Sequence, residues 1–520
     1  MPHKAPPPMM LALLNDPACY DHPVEKVALI ETHISWVLLT GEFAYKIKKP
    51  VNLGFLDFST LALRHQDCLE ELRLNRRLAA DYYLEVVAIT GSMAVPRIRG
   101  TGQAIEYAVK MRQFPRDATL DKLAQRGELG NEQIDALAVR LAHFHLAECE
   151  RAAADSPWGE PALIAQPVAE NFALLATRLN DPEARQRLAK LQGWCVAEHL
   201  RLVPLMQQRK LAGWVRECHG DLHLANLAWV DGNLVIFDCL EFSPALRWID
   251  VISEVAFCYM DLLHRQFAGL AARFLNAWLE ATGDYQGVAL LRYYAVYRAL
   301  VRAKVAALRA GQGEDASRAE VTDCLQLAER FTAHHLQLTT HCSPVTTHPS
   351  PPPTSPSLTI THGLSGSGKT TLAQKMLETR GLIRLRSDVE RKRLAGLDAC
   401  ARGGEALGLY SEAFGQRTYQ HLAELAEGLL RAGWSVVVDA AFLQRWERDL
   451  FRALAQRLGA DFGIGDIQAD PDVLKARVRQ RQAEGRDASD ADLRVLEQQL
   501  ATAQPLDADE LAVCLGMELM

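Results

Sequence analysis

Long apolar runs are missing from this 520-residue chain. No stretch of 18 uninterrupted apolar residues occurs, so no membrane span is expected. The N-terminal Met1-Pro-His-Lys-Ala-Pro-Pro-Pro leads into only about six apolar residues before Asn15-Asp16-Pro17. A secretory signal needs an apolar region of about 7–15 residues. The 11 cysteines are scattered and form no Cys-x-x-Cys pair, which argues against a zinc site or a disulfide framework. Free thiols fit a reducing cytosol, and a cytoplasmic protein is expected. Excess positive charge is also missing. The net charge is −7 and the pI is near 6.2, which argues against a general nucleic-acid partner while leaving room for a local basic groove. No repeat of fixed period is found. What remains is 49% hydrophobic and 23% charged, enough to build large cores. The length suggests about two to four domains.

The most informative residues are Gly363-Leu364-Ser365-Gly366-Ser367-Gly368-Lys369-Thr370, which fit the P-loop (Walker A) pattern G-x-x-x-x-G-K-[ST]. A β-prone run, Leu358–Thr361, precedes them, and a helical pattern opens at Thr371. The glycines let backbone N–H groups close around a phosphate, and the helix adds the positive end of its dipole. Lys369 would reach the β- and γ-phosphates of ATP, and Thr370 would offer a hydroxyl to Mg²⁺. The plainer alternative is a glycine turn followed by a chance Lys-Thr.

A Pro/Ser/Thr-rich segment, residues 339–357, reads as a linker. It divides the chain into residues 1–338 and 358–520. The linker shares no apolar pattern with either neighbour, so the C-terminal part, from about residue 356, is expected to fold alone. Within the first part, residues about 25–115 read as mostly strand with one helix over about 61–80. Ile34–Leu39 and Phe43–Ile47 flank Thr40-Gly41-Glu42, a hairpin signal. Residues about 116–338 read as mostly helical. A small β lobe followed by a helical lobe is the order of parts in a bilobal kinase.

A second constellation lies at His219-Gly-Asp221-Leu-His-Leu-Ala-Asn226, followed by Asp231-Gly and the run Leu234–Asp238. Asp-Gly between two apolar runs signals a hairpin, which would return Asp238 beside Asp221 and Asn226. Phosphoryl transfer uses such a group: one Asp for the acceptor's proton, an Asn and an Asp for Mg²⁺. These residues resemble the catalytic loop, H-G-D-x-x-x-x-N, of the phosphotransferases that include aminoglycoside and choline kinases, relatives of protein kinases. The resemblance covers roughly residues 25–335, most strongly 217–262. It implies an α+β bilobal protein-kinase-like fold, with Asp221 as catalytic base and Asn226 and Asp238 as metal ligands. Asp250 would be structural, and Glu241 a further site residue. At the metal-ligand position the chain reads Asp238-Cys-Leu rather than D-F-G, so an ordinary protein kinase is not expected.

In the β lobe, Lys46 stands where the family's phosphate-pairing lysine would lie, with Lys48 as its rival two residues on. Glu71 would pair with that lysine, with Glu70 as the rival. No G-x-G-x-x-G precedes Lys46, so Glu31-Thr-His-Ile-Ser-Trp must cover the phosphates in another way. Glu106–Phe114 is the expected hinge strand facing an adenine.

In the C-terminal part, Trp434–Asp439 reads as a buried strand ending in a carboxylate, the Walker B arrangement that would steady Mg²⁺. The alternative is that Asp439 caps the next helix. Arg477, Arg479, Arg481 and Arg486 form either a phosphate lid or an exposed basic helix. Arg384-Leu-Arg-Ser-Asp388-Val-Glu-Arg391 contains the S-D-x-x-R element of small P-loop kinases. The domain resembles polynucleotide kinase, chloramphenicol phosphotransferase, gluconate kinase and zeta toxins. By that resemblance it is an α/β fold with a parallel sheet flanked by helices. Asp388 would act on the acceptor hydroxyl, and Arg391 and Arg481 on substrate or phosphate. The order of parts resembles bacterial fusions of an aminoglycoside phosphotransferase-like domain with a P-loop kinase domain. The expected activity is ATP- and Mg²⁺-dependent transfer to hydroxyls of unidentified small molecules. Two rivals are a degenerate regulatory N-terminal module, and a nucleic-acid end kinase or toxin-like sugar-nucleotide kinase.

Overall fold

A computed structural model describes residues 7–54, 56–310, 316–333, 355–399, 401, 408–409, 411–484, 489 and 491–515. The linker reading falls outside the described residues except at 355–357, and Arg486 is outside them as well. The chain forms two compact units: residues 1–133, 143–261 and 300–323, and residues 134–142, 262–299 and 324–520. Among the described residues no helix is long and apolar enough to cross a membrane.

The first unit carries an antiparallel sheet of β1 (Ala28–Glu31), β2 (Ser35–Leu39), β3 (Phe43–Lys48), β4 (Tyr83–Gly91), β5 (Pro96–Ile98) and β6 (Glu106–Arg112). Its order is β1-β2-β3-β6-β4-β5. The β2–β3 hairpin falls where Thr40-Gly41-Glu42 signals it, with Gly41 at φ +101°. One face packs Trp36, Leu38, Tyr45, Ile47 and Val87 against Met9, Met10 and Leu13 of a helix, Pro8–Asn15, that the sequence reading did not anticipate. Between β3 and β4 runs the helix Leu61–Ala79, with the side chain of Thr60 accepting from Leu63 N–H at its start. Its buried stripe includes Arg64, Cys68, Glu71 and Asn75, spaced four, three and four residues apart. A carboxylate therefore sits on the face that enters the core.

Farther on, β7 (Val215–Glu217) pairs with β10 (Trp248–Asp250), and β8 (Leu227–Val230) with β9 (Asn233–Ile236). The β8–β9 turn holds Asp231 at φ +50° and Gly232 at φ +77°. Two consecutive left-handed residues make the turn that matches strand twist in a two-residue hairpin, and Asp-Gly tolerates both.

In the second unit a four-stranded parallel sheet is built from β11 (Ser357–His362), β12 (Ile383–Arg386), β13 (Val436–Asp439) and β14 (Asp461–Asp466). Its order is β12-β13-β11-β14. Val436, Val437 and Val438 are all fully buried, as a strand covered on both faces requires. Strand β12 lies at the sheet edge, and the helix Ala268–Thr282 is seated beside it. Ala272 joins Leu372, Ala373, Met376, Leu377, Leu382 and Val437 in one apolar cluster. Asn276 then acts as a substitute strand. Its Nδ2 donates to Leu382 O at 3.0 Å, and its Oδ1 accepts from Arg384 N–H at 2.6 Å. This seam adds an upstream helix to the C-terminal part. Residues 262–299, read from sequence as part of the helical lobe, cover its sheet edge.

Replacing Asn276 with Leu leaves a buried N–H and a buried C=O without partners. Each such group costs about 1–3 kcal/mol. The full chain is expected to show a second-unit melting transition lowered by several degrees in scanning calorimetry, with the first-unit transition unchanged. Equal melting of variant and parent would refute the clamp.

Candidate functional site

In the first unit, β3 turns Lys46 and Lys48 to one face because alternate residues share a side of the sheet. Lys46 Nζ lies 2.8 Å from Glu71 Oε1 and 2.5 Å from Asp238 Oδ1. Lys48 Nζ lies 2.5 Å from Glu71 Oε2 and 2.9 Å from Asp67 Oδ2, and it also pairs with Glu241. Glu71 therefore serves both lysines. Glu70 serves neither and binds Arg73 and Arg247 instead. Burial pushes the Glu71 carboxyl up, but the two lysines outweigh it and hold the group below its ordinary value. In Glu241 burial prevails over Lys48, with Glu71 adding repulsion, and its pKa is pushed up to about 7. Asp238 is held low because Lys46 outweighs its burial.

The β8–β9 hairpin sets the other half. Asn226 O accepts from Phe237 N–H at 3.1 Å, which places Asn226 and Asp238 at adjoining ladder positions. Asn226 Nδ2 donates to Asp221 Oδ2 at 3.1 Å and to Asp221 O at 3.0 Å, so the amide oxygen is the atom it can offer a cation. Asp238 occupies the left-handed region at φ +63°, and its N–H donates to Tyr83 Oη at 3.1 Å. Its side chain is 44% exposed. Asn75 Oδ1 accepts from Cys239 N–H at 2.9 Å, tying this segment to the Glu71 helix. Behind the loop, Glu254 accepts from Gly220 N–H and contacts His145 Nε2, both at 2.8 Å. His219 Nε2–H donates to Phe237 O at 2.8 Å. Asp250 is bound through both oxygens by Arg209, at 2.7 and 2.8 Å. The structure thus brings Lys46, Glu71 and Asp238 together at one point, and Asp221 and Asn226 together beside it. Sequence reading missed His145, Asp67 and Glu254, which carry no motif.

In the second unit the loop after β11 needs its glycines. Gly363, Gly366 and Gly368 have φ of +148°, +84° and +110°. A Cβ on Gly363 would lie 2.4 Å from Ile467 O. Lys369 Nζ folds back to donate to Gly363 O at 2.9 Å and Leu364 O at 2.8 Å. A cavity of about 630 Å³ opens beside it. Ser365, Gly366, Ser367, Gly368, Lys369, Thr370 and Thr371 line one wall. Asp388, Arg391, Asp439 and Arg481 line it as well. Arg391 Nη1 lies 2.9 Å from Asp388 Oδ1, and Arg481 Nη2 donates to Ala491 O at 2.8 Å.

Asp439 does not cap a helix, since the next one starts at Arg445 with Gln444 before it. Its Oδ2 is buried without a hydrogen bond, as is Ser367 Oγ. Ser367, Thr370 and Asp439 line the same cavity, and hard oxygens of this kind suit Mg²⁺. Of the basic cluster, Arg477 and Arg481 line the cavity, Arg477 donating to Gly366 O at 3.1 Å, while Arg479 is exposed on the helix Pro471–Glu484. Arg386, Tyr419 and Gln499 are among the lining residues to which the sequence reading gave no role. Gln499 Oε1 accepts from Ser365 N–H at 2.9 Å across 134 residues, a separation no local pattern reveals.

One chain thus joins an antiparallel sheet carrying the Lys46–Glu71–Asp238 group to a parallel sheet carrying a P-loop. A family model described as an AAA domain matches residues 358–506. Uncharacterized protein Rv2004c of Mycobacterium tuberculosis (strain H37Rv) is 31% identical over 487 residues, which are 91% of this chain and 91% of the relative. Uncharacterized protein Mb2027c of Mycobacterium bovis matches to the same extent. The chain belongs to the family of these mycobacterial proteins. Among solved structures, a choline/ethanolamine kinase family protein from Mesorhizobium loti aligns with 62% of this chain and 92% of its own, at 11% identity and a TM-score of 0.39. A sugar kinase from Janibacter sp. HTCC2649 aligns with 31% of this chain and 83% of its own, at 22% identity and a TM-score of 0.24.

Burial lowers the Lys369 pKa to about 8, with Asp439 and Asp388 opposing the shift. Near pH 8 about half of the free protein carries a neutral Lys369, and an arriving polyphosphate favours the charged form. ATP binding should therefore take up protons near pH 8 and weaken as pH rises from 7 to 9. Calorimetry in two buffers of different ionisation heat measures this. Binding without proton uptake would contradict the assignment.

Proposed function

We propose that the chain is an ATP- and Mg²⁺-dependent phosphotransferase in which each part passes a γ-phosphoryl group to a hydroxyl of a small molecule, with the functional division at residues 339–357. The carrying observation is the second-unit cavity. It gathers the P-loop, Lys369, Asp439 and the Asp388–Arg391 pair around one space. Lys369 would leave the loop carbonyls for the β- and γ-phosphates, with loop N–H groups Gly363 to Thr371 around them. Asp388 accepts the acceptor's proton as its oxygen bonds to γ-phosphorus. The bond from γ-phosphorus to the bridging oxygen breaks, and ADP leaves. Arg391 and Arg481 face the charge that spreads over the transferred group. Thr370 and Asp439 would hold Mg²⁺, which supplies charge neutralisation at the phosphates.

In the first unit Lys46 would pair with phosphates, oriented by Glu71, and Asp221 would take the acceptor's proton. Asn226 and Asp238 would be the metal ligands. One observation favours reading this unit as a regulatory binding module. Between β1 and β2 the turn has no glycine, and Thr32 Oγ1 is bonded to Ser35 Oγ at 2.8 Å. That turn is too short and too tied to fold over phosphates as a glycine loop does.

Turnover assigned to the first unit is measured in full-length Lys369→Ala protein, against sugars, antibiotics, nucleosides and DNA ends. Adding Asp221→Ala should lower it by at least about 10²-fold, the usual scale for a lost general base. Undiminished turnover would remove Asp221 from the mechanism. Lys369→Ala protein that transfers nothing would favour the module reading.

In the second unit, Lys369→Ala should weaken nucleotide binding and abolish transfer with the circular dichroism unchanged. Asp388→Ala should keep nucleotide affinity within about twofold, a change of under 0.5 kcal/mol, and still stop transfer. Equal loss of nucleotide binding in both variants would misplace the acceptor side.

A further inference from the structure

Glu280 lies near the end of the helix Ala268–Thr282, outside the P-loop motif and outside the stretch matched by the family model. Its Oε1 accepts from Arg386 Nη1 at 2.8 Å, and its Oε2 from Arg384 Nη2 at 2.9 Å. Asn276, one turn earlier, clamps the same helix to β12, so the carboxylate is delivered from a fixed support. Arg386 lines the P-loop cavity. It is also the ladder partner of Asp439 across β12 and β13. Its Nε stands 3.6 Å from Asp439 Oδ2, the buried oxygen that makes no hydrogen bond.

Glu280 thus binds two guanidinium groups, one of which also faces Asp439. A guanidinium prefers a two-point pairing with one carboxylate. With Glu280 present, Arg386 has a close partner that is not among the cavity-lining residues. Without that charge, Asp439 is a carboxylate already within reach at 3.6 Å, and attraction between partly buried charges at this distance is strong. Arg386 would close on Oδ2 and occupy the oxygen a cation needs.

We infer that Glu280 is a positioning residue of the P-loop site: it holds Arg386 off Asp439 and so keeps the Asp439 carboxylate open to a divalent cation. This rests on the reading of Asp439 as the carboxylate beside the nucleotide's Mg²⁺.

The test uses full-length protein and a fluorescent ADP analogue, with Lys46→Ala in every sample so that the signal comes from the P-loop site. Mg²⁺ is titrated, and nucleotide affinity is also measured in EDTA. Glu280→Gln should raise the Mg²⁺ concentration for half-maximal binding by at least about fivefold, the upper range for one ion pair at a partly exposed site. Affinity in EDTA should stay within about twofold of the parent. The double variant Glu280→Gln, Arg386→Gln should return the Mg²⁺ requirement to within about twofold, because the competing cation is gone. Arg386→Gln alone should not raise it, which keeps the inference testable if Glu280→Gln fails to fold. A residue that only staples the helix would lower EDTA and Mg²⁺ affinities together, and that result would overturn the inference. So would a Glu280→Gln protein with the parent's Mg²⁺ requirement, or a double variant that does not recover. Asp439→Asn separates the two levels. If it leaves the Mg²⁺ requirement unchanged, the reading of Asp439 fails and takes the inference with it. If it raises the requirement while Glu280→Gln does not, only the inference fails.

Discussion

Glu71 is fully buried between two ammonium groups, and the site of the first unit depends on that one carboxylate. A charge taken out of water must be met by opposite charge or by hydrogen bonds, and breaking such a pair leaves the remaining charge uncompensated. Here the helix that carries Glu71 is fixed at that depth by its neighbours on the same stripe. Arg64 binds Glu106 at the start of β6, and Asn75 binds the backbone after Asp238. Lys46 is in turn held between helix and hairpin. The position of the sheet, the helix and the catalytic-type loop relative to one another is thus set by charge pairing as much as by apolar packing.

The second unit solves a different problem. Its loop folds so that a lysine binds two of the loop's own carbonyls, a path with positive φ at three glycines. Its strand β12 needs a partner at the sheet edge. That partner is not a strand but the amide of Asn276, flanked by the carboxylate of Glu280. Polar side chains thereby do the work of covering an edge that a parallel sheet would otherwise expose.

Much of this was legible in the chain itself. The P-loop, the Asp231-Gly232 turn and the β2–β3 hairpin follow from glycine and Asp-Gly chemistry, which acts within a few residues. The choice between Glu70 and Glu71 was not legible from charge. It follows from the stripe Arg64, Cys68, Glu71, Asn75, since only Glu71 falls on the buried face. Asp439 could be read as a strand-terminal carboxylate, but the strand alone could not say whether it also caps a helix. The sites' distant members were out of reach. Gln499, Glu280 and Glu254 lie in helices whose patterns are those of ordinary packing, and their partners are set by the fold. The covering of the second sheet by an upstream helix was out of reach for a related reason. Proline-rich composition marks a break in regular structure, yet it carries no information about which helices cover which sheet edge.

The seam made by Ala272, Asn276 and Glu280 bears on how such a chain could arise or be taken apart. A gene cut at the proline-rich segment would release a P-loop sheet with an unguarded margin, and a strand with open N–H and C=O groups invites other chains to add to it. The two parts could not then be traded as independent cassettes. Any recombination that kept the P-loop would also have to carry a helix encoded well upstream, inside what looks in sequence like another gene product.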